Sequence, residues 1–282
     1  MPAGGLPTRS DRFLRVVTYL LLILFSLVML LPLLWMISSA LKPNYEVFQF
    51  PPQWIPSPIE WGNFPKALNF VPFLQFFLNT GILALATLLG TLVSNILIGY
   101  AFARLEARGK NALFYLMLST LMLPYAVTMI PQYAIFAKLH WVNTFWPLIV
   151  PSYFGNPFFI FLLRQFFMGI PRELEDAAAI DGAGVFRTIW QIMLPLSWPA
   201  VVTVCIFQIQ GTWNDFLGPL IYLNKESMFT LQLGLQYFVG QYTGGWNLLM
   251  AASTVILMPV LLMFYFGQRL FVKGIIVGGL KG

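Results

Sequence analysis

The sequence predicts an all-α membrane protein: six transmembrane helices, with a cytoplasmic helical loop between spans 4 and 5. Three observations lead there. Of 282 residues, 59% are hydrophobic and only 9% charged, whereas soluble domains carry roughly a quarter charged residues. The apolar residues are gathered in uncharged runs at 16–41, 67–103, 111–137, 188–214 and 227–268. Each run meets the length of about 20 residues needed to cross a bilayer, and a further segment, 145–163, fits between them. The basic residues are also lopsided. With the amino terminus in the cytoplasm, the inner segments hold Arg9, Arg12, Arg15, Arg104, Arg108, Lys110, Arg164, Arg172, Arg187, Arg269, Lys273 and Lys281. The outer segments hold only Lys42, Lys66, Lys138 and Lys225. That asymmetry is the positive-inside rule. It makes the net charge of +6 a topology signal rather than a nucleic-acid patch.

The elements follow in order. Residues 1–12 read as a cytoplasmic tail and 13–37 as the first span, with Pro32 expected to kink its outer end. A cleaved signal peptide is the rival for this stretch, but its apolar region would be shorter, about 7–15 residues. Residues 38–72 read as an extracytoplasmic loop. It carries six prolines between Pro43 and Pro65, which argues against helix or central strand. Trp54 and Trp61 suit the membrane–water interface. Residues 73–268 form the remaining five-helix core. The second span, 73–102, repeats Gly81, Gly90 and Gly99 at nine-residue spacing, with Thr87, Thr91 and Ser94 between them. Small residues let helices pack closely where lipid supplies no hydrophobic drive. The third span is expected at 112–131, ending in Pro124 and Pro131, with 132–144 outside. The fourth, 145–166, contains Pro147, Pro151, Gly155 and Pro157. Such breaks are tolerated where neighbouring protein satisfies the freed backbone groups, so this span is expected to face protein. The fifth span is expected at 198–222, an outer loop at 223–246, and the sixth span at 247–268 with Pro259 inside it. Residues 269–282 read as a cytoplasmic tail.

Between spans 4 and 5, residues 169–196 form the longest polar interruption of the second half. Glu173, Glu175, Asp176 and Asp181 fall within nine residues. Pro171 suits a first helical turn, and the acids after it suit the positive end of a helix dipole. Ala177, Ala178 and Ala179 are strong helix formers with a smooth, small surface. Gly182 breaks the run, and 183–193 can form a second short helix. A helix–Gly–helix of this kind is a stiff knob that another protein can approach closely.

This stretch resembles the EAA loop of the membrane subunits of ATP-binding-cassette importers. The family pattern runs Glu-Ala-Ala, three residues, Gly, nine residues, Ile, one residue, Leu-Pro. Here Asp176-Ala177-Ala178 leads to Gly182, then to Ile192, Leu194 and Pro195, so every spacing matches. Asp176 stands where the family usually has Glu. The competing reading is an ordinary amphipathic loop between spans. The wording from Leu174 to Ala183 is similar to the carbohydrate-uptake branch and to its maltose-type second permease. Phe50-Pro51-Pro52-Gln53-Trp54-Ile55-Pro56 and Trp61-Gly62-Asn63-Phe64 are similar to the sugar-importer family, and Asn79-Thr80, the Tyr100–Arg104 segment with Gly109-Lys110, Trp213-Asn214-Asp215-Phe216-Leu217 and the ending from Val272 resemble the importer family. The resemblance implies that Glu175, Asp176, Ala177, Ala178, Asp181, Gly182 and Ala183 dock a cytoplasmic ATPase. It further implies a different second permease subunit, two ATPase subunits that hold ATP and Mg, and an extracytoplasmic solute-binding protein. The expected location is a prokaryotic inner membrane, among lipid, with both termini cytoplasmic. The expected mechanism is alternating access, with no cofactor on this chain.

The fifth span gathers Gln208, Gln210, Gly211, Thr212, Trp213, Asn214 and Asp215. Polar groups at membrane depth mark a substrate path by default. Gln208, Thr212 and Asp215 lie at i, i+4 and i+7 and share one face. Gln208, Thr212, Trp213, Asn214 and Asp215 are therefore the candidate path residues, with Trp213 placed to stack on a sugar ring. The alternative is that they bond neighbouring helices, with Asp215 satisfying backbone N–H groups at a kink. There is no GxxxxGK[ST] phosphate loop, so the chain itself is not expected to hydrolyse ATP. No HExxH or Gly-x-Ser-x-Gly is present. Cys205 is the only cysteine and His140 the only histidine, which leaves no metal cluster and no catalytic constellation. Two alternatives stay open: a permease for a non-sugar solute, and an ion-coupled secondary transporter. The latter usually carries internal repeats, and none is visible.

Overall fold

The computed structural model describes residues 9–239 and 245–279, with side chains described for 13–239 and 245–268. Among the described residues the chain is helical, with no strand. In chain order the helices are α1 (Arg9–Ala40), α2 (Asn63–Phe70), α3 (Phe73–Arg104), α4 (Lys110–Ser119), α5 (Tyr125–Lys138), α6 (Trp146–Ile149) and α7 (Pro157–Met168). There follow α8 (Glu173–Ile180), α9 (Val185–Thr188), α10 (Leu194–Leu196), α11 (Trp198–Trp213), α12 (Leu217–Tyr222), α13 (Leu231–Gly234), α14 (Gln236–Val239) and α15 (Trp246–Gly279). A 3₁₀ turn, Val150–Phe154, joins α6 towards α7, and a π-helical turn, Ile189–Met193, joins α9 to α10.

Four stretches are long and apolar enough to cross a membrane: Phe13–Ala40, Phe73–Arg104, Trp146–Met168 and Trp246–Gln268. Two bent pairs raise the number to six if each counts as one span. One pair is Lys110–Met122 with Tyr125–Lys138, bent by 100°; the other is Val185–Leu196 with Trp198–Trp213, bent by 84°. The first bend falls inside the span expected at 112–131, at the first of the two prolines expected to end it. Leu123 is extended (φ −80°, ψ 114°) because the ring of Pro124 excludes the helical region from the residue before it. α5 then runs through Pro131, so most of the segment expected outside, 132–144, is helical. The span expected at 198–222 is likewise interrupted between α11 and α12. Beyond residue 268, expected to open a tail, the backbone of α15 stays helical to Gly279. Of the expected tails, residues 1–8 and 280–282 lie outside the described residues. So do the side chains of Arg9, Arg12, Arg269, Lys273 and Lys281, which entered the charge count.

The chain divides into two compact units. One comprises Met1–Phe70 and Tyr237–Val255. Here α1 continues through Pro32, and no residue of its most apolar window is buried. The proline-rich segment after α1 is held by polar side chains rather than by regular structure. Asn63 Nδ2 donates to the carbonyls of Ala40 (2.9 Å) and Lys42 (2.8 Å). Asn247 Nδ2 donates to the Lys42 carbonyl and to Asn63 Oδ1, both at 3.2 Å. Lys42 is buried. Its ammonium donates to the Gln53 carbonyl and lies 4.1 Å from the Trp35 ring centroid. Desolvation pulls its pKa below the ordinary lysine value, and the Glu46 carboxylate opposes that pull.

The other unit comprises Val71–Gln236 and Ile256–Gly282, and α3 is its central strut. Ile96, Tyr100 and Ala103 of α3 pack with Phe159, Leu163 and Phe167 of α7, and with Ile189, Met193, Val201 and Val204. The glycine repeat is used at two of its three positions. A Cβ on Gly99 would come within 3.1 Å of Leu163 Cβ, and one on Gly90 within 2.4 Å of the Tyr153 ring, whereas Gly81 faces open space. The breaks of the fourth segment are satisfied by α3, as its prolines lead one to expect. Asn95 Oδ1 accepts the Asn156 N–H at 2.7 Å, and Ser94 Oγ donates to the Ser152 carbonyl at 3.0 Å. Asn156 in turn caps α7 by accepting from Phe158 N at 2.9 Å. At the opposite end of α3, Asn79 Nδ2 donates to the carbonyls of Ser227 and Phe229, and Thr80 Oγ1 accepts from Leu231 N.

Candidate functional site

Two regions of the second unit hold the candidate residues, and both are built on α3. The first is the polar loop. α8 begins just after Pro171 and holds Glu173, Glu175 and Asp176 in its first turn. It ends abruptly. Gly182 N donates to the Ala179 carbonyl (3.0 Å) and Ala183 N to the Ala178 carbonyl (2.8 Å). That pair of bonds is a Schellman motif, which requires a left-handed residue between them. Gly182 supplies it with φ +78°. α9 then starts at Val185, so the helix–Gly–helix reading matches the observed backbone.

The loop is fastened to α3 by a polar knot. Glu175 Oε1 lies 2.6 Å from Arg104 Nε, and Tyr100 Oη donates to Glu175 Oε2 at 3.0 Å. Arg104 also donates through Nη2 to the Ile170 carbonyl at the start of the loop. The Arg104 and Glu175 side chains are only 6% and 17% exposed. The exposed Arg172–Glu106 pair at 4.0 Å is loose and adds little.

The seven sequence-derived docking residues therefore divide. Asp176, Ala177, Asp181 and Gly182 are exposed. Ala178 is buried, Ala183 is half-buried, and Glu175 is turned inward. Glu175 thus fixes the loop to its own chain, a role the loop motif alone does not reveal. Sequence reasoning also missed an apolar surface beside the acids. Ile180 is 87% exposed, Phe186 68% and Trp190 65%. The signal was present, since these large apolar residues sit in the polar loop, 169–196, between spans 4 and 5.

The second region is a cleft of about 220 Å³. It is lined by Leu83 and Thr87 of α3, Leu148 of α6, Ser152 of the 3₁₀ turn, Gln208, Gly211 and Thr212 of α11, Asp215, and Pro219 of α12. Gln208, Thr212 and Asp215 come together here, as their spacing on one helical face requires. Thr87 Oγ1 and Thr212 Oγ1 are 3.0 Å apart, and Gln208 Nε2 donates to Thr212 Oγ1 at 3.1 Å. Asp215 Oδ1 accepts the Gly218 N–H at 3.0 Å, at the break between α11 and α12.

Trp213 and Asn214 do not line this cleft. The Trp213 indole is buried against Phe77 and donates through Nε1 to the Ile256 carbonyl at 3.1 Å. It is therefore unavailable for stacking on a solute. One residue along a helix turns the side chain by roughly 100°, which carries 213 off the 208–212–215 face. Asn214 bonds the Gln210 carbonyl and accepts from Gln232 Nε2. Cys205 is a free, half-buried thiol in α11, and among the described residues no cluster of His, Cys, Asp and Glu fits a metal ion.

Residues 95–277 match the family model described as "Binding-protein-dependent transport system inner membrane component". The arabinooligosaccharides transport system permease protein AraQ of Bacillus subtilis is 32% identical over 95% of this chain and 96% of its own length. The sn-glycerol-3-phosphate transport system permease protein UgpE of Yersinia pestis is 33% identical over 95% of this chain and 98% of its own. At the level of fold, the chain resembles a chain from the crystal structure of a bacterial ABC transporter involved in the import of the acidic polysaccharide alginate. That likeness has a TM-score of 0.82 at 22% identity and covers 95% of this chain and 100% of the other. These relatives are permease subunits, which are transport components rather than enzymes. With the family model covering most of the chain, and with near full-length relatives above 30% identity, this protein belongs to the binding-protein-dependent transport system inner membrane components, the permease subunits of ABC transporters.

Proposed function

We propose that this chain is one of two unlike permease subunits in an ATP-driven sugar importer. It forms half of the translocation pathway and crosses the membrane six times, with the fifth span starting at Trp198 and both termini in the cytoplasm. Residues 169–196 dock on one of two cytoplasmic ATPase subunits, which hold the ATP and Mg. An extracytoplasmic binding protein delivers the solute, and nucleotide-driven closure of the ATPases is passed through the loop to produce alternating access.

The observation that carries this reading is the fastening of the loop. A coupling element must be stiff and tied to the helix it moves, since slack would absorb the stroke. The Schellman stop at Gly182 gives stiffness, and the Glu175–Arg104–Tyr100 knot ties the loop to α3. The exposed carboxylates of Asp176 and Asp181, beside Ile180, Phe186 and Trp190, offer a mixed polar and apolar surface of the kind that partner proteins cover. Sugar as the solute is supported by the arabinooligosaccharide relative and by the hydroxyl and amide lining of the cleft.

The test is purification of the tagged chain from its native membrane, identifying what accompanies it. A cytoplasmic ATPase, a second permease and a solute-binding protein are expected, and the ligand of the binding protein names the sugar. Recovery of the chain alone, with sugar uptake that follows an ion gradient, would overturn the proposal.

A further inference from the structure

We infer that the cleft between α3 and α11 admits uncharged, hydroxyl-bearing solutes and turns anionic ones away, with Asp215 as the specificity-determining residue. This deepens the importer reading and rests on it. The polar lining consists of three hydroxyls (Thr87, Ser152, Thr212), one amide (Gln208) and one carboxylate (Asp215). Hydroxyls and amides both donate and accept, as sugar hydroxyls do, while a carboxylate accepts only. An anionic solute needs the opposite equipment, a guanidinium, an ammonium or several free N–H donors. None of the nine lining residues is basic. Among the described residues the ion pairs found involve Arg104, Glu175, Arg172 and Glu106, so no cation pairs with Asp215. One backbone donor that faces the carboxylate, Gly218 N–H, is already engaged by it. A uronate or phosphate ester entering the cleft would meet an unneutralised negative charge.

Gly211 provides a reporter position. A Cβ there meets nothing within 4 Å, so a cysteine at this lining position leaves the packing unchanged. In the assembled importer, Cys205→Ala removes this chain's only native thiol and Gly211→Cys installs a new one. The probes are three methanethiosulfonates of similar size: neutral hydroxyethyl, cationic trimethylammonium-ethyl and anionic sulfonatoethyl. Labelling is followed by mass shift on this chain, and each rate is normalised to that reagent's rate with a free thiol. We expect the anionic reagent to lag the neutral one by about tenfold or more, from Coulomb repulsion at short range in a medium of intermediate dielectric. Asp215→Asn keeps an oxygen for the Gly218 N–H and should shrink that gap to within about twofold. Equal neutral and anionic rates would overturn the inference. So would a gap that persists in Asp215→Asn, or a cysteine that no reagent reaches. The sugar reading fails separately, if the charge selectivity holds but the importer takes up no neutral oligosaccharide.

Discussion

Removing the Glu175 carboxylate is the sharpest perturbation of the proposed coupling region. In Glu175→Ala, the Arg104 guanidinium keeps only the Ile170 carbonyl as partner, and Tyr100 Oη loses its acceptor. Arg104 is 6% exposed, so water can replace the lost carboxylate only by opening the packing. Breaking a buried pair from one side costs about 3–5 kcal/mol, because the remaining charge is left without compensation. With the pair at the edge of the core, the lower figure applies. About 3 kcal/mol corresponds to a fall in melting temperature of about 6–12 °C for a chain of this size. The assay is thermal unfolding of the detergent-solubilised complex, with ATPase activity and solute uptake measured on the same preparations. Uptake should fall more than ATPase activity, since the loop would slip before the motor stalls. Arg104→Met alone should be comparably harmful, and the Arg104→Met/Glu175→Ala double variant should recover part of the loss, because no lone charge remains buried. Two single effects that simply add in the double variant would refute the knot as an interacting unit. An unchanged melting temperature in Glu175→Ala would refute its burial.

Three further expectations follow from the same geometry. Gly182→Ala should cost about 1 kcal/mol through the left-handed backbone alone, since its Cβ meets nothing, and Gly182→Asn should cost less; solute uptake at normal membrane insertion reads both, and unchanged uptake in a bulkier Gly182→Val would argue against a stiff turn. Gly90→Ala drives a Cβ to 2.4 Å from the Tyr153 ring and should lower stability by about 1–3 kcal/mol, whereas Gly81→Ala should be silent; a thermal scan separates them. Asn95→Leu leaves the half-buried Asn156 N–H without its acceptor and should cost about 1 kcal/mol, seen as lost stability and as faster hydrogen exchange at the start of α7.

Much of this architecture is legible in the sequence because hydropathy answers to one strong constraint, the cost of exposing peptide groups to hydrocarbon. The long apolar helices α1, α3 and α15 are read directly from their runs. The face shared by Gln208, Thr212 and Asp215 follows from helical spacing and needs no tertiary information. The turn at Gly182 follows from the loop motif. What was not legible depends on partners distant in the chain. Arg104 reads as one of twelve inner basic residues, and only the fold brings its guanidinium to Glu175. Trp213 reads as a stacking platform because sequence does not reveal the Phe77 ring and the Ile256 carbonyl that occupy it. The bend at Leu123 could have been taken from Pro124, but the length of the apolar run outweighed the local rule.

The knot at the base of the loop changes what counts as a part in this protein. A motif that reads as a cassette, from Pro171 to Pro195, is bonded at its root to residues contributed by another span: the phenol of Tyr100 and the guanidinium of Arg104. The inheritable module is therefore discontinuous. A chimaera that grafts a relative's loop onto this chain exchanges half of a joint, and under the docking proposed above its compatibility with an ATPase would report on the mismatch as well as on the loop. An engineer who wishes to re-address this permease to a foreign motor should move the inner end of α3 together with the loop, and an evolving lineage faces the same constraint.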